Sequence, residues 1–209
     1  MNVIGFDDGP FERAHRGRVL LVGAVCAGTR LDGVVSGRIR RDGTDSTERM
    51  IELVTTSQFR EHVRAVLLQG IAVGGFNVVD VQALSATLGV PVLIVMRRRP
   101  DFASIRRALF GTEASGRPRL RGADRKWRLI EAAGPVELLE LPASARSRAR
   151  PSGLRGAAQR VWIQRVGLTA NAARALVEST TLHGHIPEPL RLAHLIAGGV
   201  AAGTSRGRA

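Results

Sequence analysis

Short apolar runs separated by turn residues make up most of the chain, and the period of the apolar positions changes along it. Residues 2–6 are an apolar run that ends at Asp7-Asp8-Gly9-Pro10, which predicts a buried strand entering a turn. Residues 19–26 predict a second strand, closed by Ala27-Gly28-Thr29. Over residues 33–41 the sequence alternates, with Val35, Gly37 and Ile39 on one side and Val34, Ser36 and Arg38 on the other. A period of two is that of a half-buried strand. Three strands this close in sequence predict an antiparallel meander. Asp45 then opens a helix, with Glu48 as its capping-box partner and Met50, Ile51 and Val54 as its apolar stripe.

From there the pattern switches to strands alternating with helices. Residues 63–68 predict a strand, 79–88 a helix with Asp80 as its N-cap, and 90–96 a buried strand preceded by the stop residue Gly89. Pro100 and Asp101 mark the start of a helix over 101–110. Alternation of this kind implies parallel pairing through right-handed crossovers. The expected fold is therefore α/β: a mixed sheet, antiparallel meander first and parallel strands after it, flanked by helices. That order is the ribonuclease H-like plan. Further on, the pattern predicts a short helix over 126–132, strands over 136–141 and 161–166, a helix capped by Thr169 and running to about 180, and a last helix opened by Pro187 and Pro189. Residues 142–156, rich in Ala, Arg, Ser, Pro and Gly, read as a flexible basic loop, and 204–209 as a short basic tail.

Length and composition bound the rest. A chain of 209 residues suits one sizeable core, so one domain over 1–209 is expected. With 44% hydrophobic and 23% charged residues it should fold rather than stay disordered. The longest apolar run, residues 19–28, is too short to cross a bilayer, and the start does not read as a signal peptide. No membrane association and a cytoplasmic location are expected. Cys26 is the only cysteine, which excludes an internal disulfide and a thiolate zinc cluster. The formal net charge is +13, and Lys126 is the only lysine among 31 basic residues. Arginine presents a planar fork of donors that matches phosphate oxygens in pairs. Coding bias accounts for the choice of arginine over lysine but accounts less well for the surplus of positive charge. The surplus points to a polyanion, DNA or RNA, as partner.

Candidate chemistry lies at the predicted strand ends. Asp7 and Asp8 end the first strand, where α/β sheets display their ligand groups. Because strand residues alternate faces, only one of the two is expected to enter a given site, the other being a turn residue. Asp42 and Asp45 flank the start of the first helix, and either could join a strand carboxylate in holding Mg²⁺ or Mn²⁺ against a phosphate. Asp45 equally suits an N-cap and Asp42 a turn with Gly43. The segment 70–80, with Gly70, Gly74, Gly75 and Asn77, allows close backbone approach to a phosphate or is a plain connection. Arg97 and Arg98 follow the fifth strand and suit phosphate clamping. His183, His185 and His194 fall near the end, and their spacing alone assigns no role.

The runs VIGFDDGPF, LDGVVSGRIRRDGTDST, GGFNVVD, GVPVLIVMRRRPD and IPEPLRLAHLIAGGV together resemble an endonuclease V-related family of unknown function, the ninety-ninth in the usual series, across nearly the whole chain. The resemblance implies a ribonuclease H-like fold and a distant kinship with endonuclease V, a Mg²⁺-dependent nuclease that cuts near deaminated bases. It implies that Asp7, with Asp8 in reserve, is the first-strand metal ligand. It also implies that Asp45 or Asp42 supplies a second acid, and that His194, in its PEP…AH setting, is the late histidine. The endonuclease V aspartate that ends the fourth strand is replaced here by Gln69 before Gly70. Its lysine after the fifth strand has no counterpart, Arg97 or Arg98 lying in that area. An endonuclease acting on phosphodiester bonds, with Asp7, Asp45 and His194 as catalytic groups, is thus one expectation. A non-catalytic nucleic-acid-binding protein on the same fold is the other.

Overall fold

The computed structural model of the chain describes residues 1–12, 14–112, 120–141, 159–182 and 184–205. The loop expected over 142–156, most of the basic tail and His183 lie outside the described residues. Strands β1 (Asn2–Asp8), β2 (Arg18–Ala27) and β3 (Arg30–Arg40) form the expected antiparallel meander, with Asp8 opposite Leu21 and Arg18 opposite Arg40. Helix α1 (Ser46–Thr55) leads to β4 (Val63–Leu68), which lies parallel to β1. A small ribbon of β5 (Ala72–Val73) and β6 (Asn77–Val78) follows, then α2 (Val81–Leu88) and β7 (Val92–Met96), parallel to β4. Helices α3 (Phe102–Phe110) and α4 (Ala123–Ala132), strands β8 (Glu137–Leu141) and β9 (Gln159–Val166), and helices α5 (Ala170–Thr180) and α6 (Glu188–Ala202) complete the order. The main sheet runs β3-β2-β1-β4-β7-β9-β8.

The sheet departs from the expected pattern at its far side. β9 pairs antiparallel with both β7 and β8, so parallel pairing is confined to β1, β4 and β7. After β7 the chain makes two helices, enters the edge as β8, and only then fills the gap with β9. Among the described residues no helix is long and apolar enough to cross a membrane.

Period-two alternation along β1 divides the core. Ile4 and Phe6 pack with Met50, Val54 and Leu84 under α1 and α2, while Val3 joins Leu67, Leu93, Val177 and Leu190 under α5 and α6. Burying each such side chain contributes roughly 1.5–3 kcal/mol. Gly5 sits on the α6 face, and a Cβ there would come within 2.5 Å of the Pro189 backbone. Ala193 and Ala197 pack against Val22 and Ala24 in the same way. Small residues on both surfaces let α6 lie directly on the sheet.

Three of the four expected side-chain caps form. Asp80, Asp101 and Thr169 each accept a hydrogen bond from the backbone N–H three residues on. Helix α2 consequently starts at Val81, directly after the Asp80 cap and two residues later than its apolar pattern. Asp45 makes no side-chain cap, so its capping box with Glu48 does not form. Its carboxylate turns back to the Arg40 N–H (3.1 Å) and the Asn77 side-chain amide (2.7 Å), and Asn77 Oδ1 accepts from the Ser46 N–H (3.1 Å).

Candidate active site

The carboxyl edge of β1 and β4 carries an open cleft of about 690 Å³, lined among others by Asp7, Asp8, Phe11, Gln69, His194 and Ser205. Its geometry follows from register. Phe6 pairs with Leu68 across the parallel strands, so one residue further on Asp7 and Gln69 stand side by side. Asp7 shares the α6 face with Gly5. Two residues along a strand advance about 6.6 Å, and five along a helix about 7.5 Å. The tight contact of Gly5 with Pro189 therefore sets His194 over Asp7, and His194 Nδ1 donates to Asp7 Oδ2 at 2.8 Å.

Asp8 faces the other way, as alternation requires, and accepts a hydrogen bond from the backbone of Gly74. Yet both carboxylates line the cleft. The expectation that adjacent aspartates cannot share a site fails because the cleft wraps around the end of the sheet and is open to both faces. Burial raises the Asp7 carboxyl above its ordinary value, partly offset by the His194 hydrogen bond. Asp8 is pushed up to about 6, first by burial and then by the charge of Asp7, with the Gly74 bond acting against both.

Gln69 supplies the remaining polar group. Its Oε1 is buried and accepts no hydrogen bond from the protein. Leaving a buried acceptor unmade costs about 1–3 kcal/mol, and a donor or cation in the cleft would relieve that cost. Two carboxylates and an amide oxygen are hard oxygen donors, and Mg²⁺ is commonly held by one or two carboxylates with the rest of its shell as water. The donor set fits such an ion. Among the described residues no three His, Cys, Asp or Glu side chains gather to hold a metal by themselves. Thr204 and Ser205, which follow α6, reach the same cleft, Ser205 packing against Gly198, and no local pattern singled them out.

The other candidate residues sit elsewhere. Asp42, in a left-handed backbone conformation (φ 52°), accepts from the Phe76 N–H at 2.8 Å, while its own N–H donates to the Gly74 carbonyl at 2.8 Å. The Lys126 Nζ, nearly inaccessible, donates to the Asp42 carbonyl at 2.5 Å. Asp42, Asp45 and Asn77 thus form a network that ties the end of β3 to the 70–76 loop, and none of them lines the cleft. Asn77 is fully buried, with its amide donating to the Arg40 carbonyl (2.9 Å) and to Asp45. The network nonetheless bears on the site, because the loop it anchors presents Gly74 to Asp8. Arg97 and Arg98 are exposed just past β7, at the edge that carries the cleft.

Fold and cleft together define a ribonuclease H-like α/β domain with a carboxylate pair at the carboxyl edge of its central strands. The chain belongs to the family described as Endonuclease dU, whose model matches residues 1–201. It is 47% identical to a UPF0215 protein of Deinococcus radiodurans over 207 residues, 99% of this chain and 92% of that protein. It is 39% identical to a UPF0215 protein of Methanothermobacter thermautotrophicus, covering 100% of this chain and 92% of that one. Among solved structures, a protein of unknown function from Archaeoglobus fulgidus superposes with a TM-score of 0.76 at 29% identity, covering 96% of this chain and 98% of that one. Human endonuclease V superposes with a TM-score of 0.54 at 17% identity, covering 94% and 82%, and shares the fold.

Proposed function

We propose that this protein is a divalent-cation-dependent endonuclease that hydrolyses phosphodiester bonds in DNA or RNA, with Asp7, Asp8, Gln69 and His194 as its active centre. The observation that carries the reading is the buried, unpartnered Gln69 Oε1 set beside two carboxylates and a histidine in one open cleft. The family description and the endonuclease V fold support it. Asp7, Asp8 and Gln69 would hold Mg²⁺ or Mn²⁺, which when bound lowers the pKa of water and stabilises developing charge on phosphoryl oxygens.

The chain's own groups divide the remaining work. Asp7 fixes the His194 ring through Nδ1, which leaves Nε2 to hold or pass a proton at a phosphate oxygen or water in the cleft. Arg97 and Arg98 neutralise phosphates of the strand along the edge. Asp42, Asp45 and Asn77 act as positioning residues that keep Gly74 on Asp8. The second reading, a protein that binds nucleic acid without cutting it, is favoured by one feature: Gln69 offers a cation a neutral oxygen where a third carboxylate would bind it more firmly.

Cleavage of labelled single- and double-stranded DNA and RNA tests both readings. Plain, deoxyuridine-containing and inosine-containing strands are incubated with Mg²⁺ or Mn²⁺, beside an Asp7→Asn control. Cation-dependent cutting that falls at least about 100-fold in the control is expected. Cutting that survives Asp7→Asn removes the assigned centre. Binding without cutting on every substrate leaves the second reading.

A further inference from the structure

Helix α3 leaves most of itself in water. Leu109 is its only buried residue, while Phe102 and Phe110 are 37% and 39% exposed. These two rings lie eight residues apart with Arg106 midway, so all three share one stripe of the helix. Trp127 of α4 completes the surface. Phe102 meets it edge-on with ring centres 6.4 Å apart, and the Arg106 guanidinium lies 5.7 Å from the Trp127 and Phe110 ring centres. A shallow hollow of about 490 Å³ opens between Arg106, Arg107, Phe110 and Gly111. A helix that only had to pack would turn its rings inward.

The charge around this surface indicates what covers it. Arg97 and Arg98 run from the cleft edge of the sheet towards the start of α3, and Arg107 flanks the stripe. The one acid at the helix start, Asp101, is committed to the Ser104 N–H and hydroxyl. Rings interleaved with guanidinium groups bind the faces of bases and the phosphates between them. In a duplex those faces are hidden by stacking, so the surface fits an unpaired strand.

We propose that Phe102, Arg106, Phe110 and Trp127 form a stacking platform for single-stranded nucleic acid. The proposal rests on the reading of the chain as nucleic-acid-interacting and adds to it the strandedness of the ligand and the surface that selects it. All four side chains stand outside the cleft, so the platform acts on affinity and strand choice rather than on the chemical step.

Two measurements test it on the full chain, both in EDTA so that no strand is cut. In the first, fluorescence anisotropy follows labelled single-stranded and duplex DNA and RNA binding to the wild type and to Phe102→Ala/Phe110→Ala. Stacking on an aromatic ring makes a contribution that alanine substitution removes, so single-strand affinity is expected to fall at least about tenfold. Duplex affinity and the salt slope should stay unchanged, because no charge is lost. In the second, Trp162→Phe leaves Trp127 as the only indole, and its emission is expected to be quenched by an unlabelled single strand and not by duplex. This readout leaves the platform intact.

Failure of the wild type to bind any nucleic acid overturns the parent reading. Wild-type binding that the double variant matches, with Trp127 emission unmoved, overturns the platform alone. So does equal loss for single strand and duplex. A wild type that sediments as a dimer while the variant sediments as a monomer, with equal strand binding, shows a second copy of the chain as the occupant and also overturns it.

Discussion

On the proposed reading, the amide of Gln69 would set how strongly the cleft holds a cation. Gln69→Asp would add a third carboxylate beside Asp7, and Mn²⁺ affinity measured by calorimetry is expected to rise at least about tenfold. In EDTA the same variant should melt below the wild type, since three buried like charges repel one another. Asp8 gives a pH signature. Its carboxyl is pushed up to about 6 against an ordinary 3.8, so the folded chain holds that proton more tightly than the unfolded one. Between about pH 4 and pH 6 the fold therefore loses stability as pH rises, and above that window the cost of the charged form is fully present. Asp8→Asn keeps an acceptor for Gly74 and removes the charge. It should raise the melting temperature by a few degrees at pH 8 and leave it unchanged at pH 4. Cation affinity of the wild type should weaken as pH falls through about 6, because the ion must displace the proton.

The seat of α6 on β1 and the join between β3 and α1 decide where the residues of the cleft stand. Gly5→Ala drives a methyl into the Pro189 backbone, and overpacking of this kind costs about 1–3 kcal/mol. A lower melting temperature is expected, together with slower cutting, because the helix that carries His194 must move off Asp7. Asn77→Ala strips the Ser46 N–H and the Asp45 carboxylate of a buried partner, and should cost about 2–4 kcal/mol in chemical denaturation. These two positions show what was legible beforehand. The meander, the parallel strands and most helix starts follow from periodicity and caps, which are local signals. The resemblance already implied one site for Asp7 and His194, while periodicity and spacing alone gave no sign of their contact across 187 positions. It depends on how closely α6 lies, which Gly5, Ala193 and Ala197 permit without announcing it. Asp45 stands at the head of the helix but makes no side-chain cap, because its carboxylate is held by the Arg40 N–H and by Asn77, far along the chain. Asp8 was set aside by alternation, a rule that holds within a strand and lapses at its open end.

Taken whole, the molecule joins a basic chain of net charge +13 to a small acidic cleft. On the proposed reading, the surplus charge would draw a polyanion, and the cleft's own carboxylates would oppose a phosphate until a cation intervenes. Affinity for single strands should accordingly fall steeply with salt, with a logarithmic slope of about 0.7 for each phosphate neutralised. Asp7→Asn should bind strands at least as tightly as the wild type when no cation is present. The fold class and the basic charge were readable in the sequence, and the resemblance pointed to Asp7, Asp8 and Gln69; that Ser205 joins them in one cleft was not readable, since they meet only once the sheet and α6 are assembled. The most direct test of the account is a Mn²⁺ titration of the full chain followed by electron paramagnetic resonance, on the wild type and on Asp7→Asn. One bound ion per chain is expected in the wild type, with binding weakened at least about tenfold in the variant. Equal binding by the two would place the ion elsewhere and contradict the assignment of the cleft.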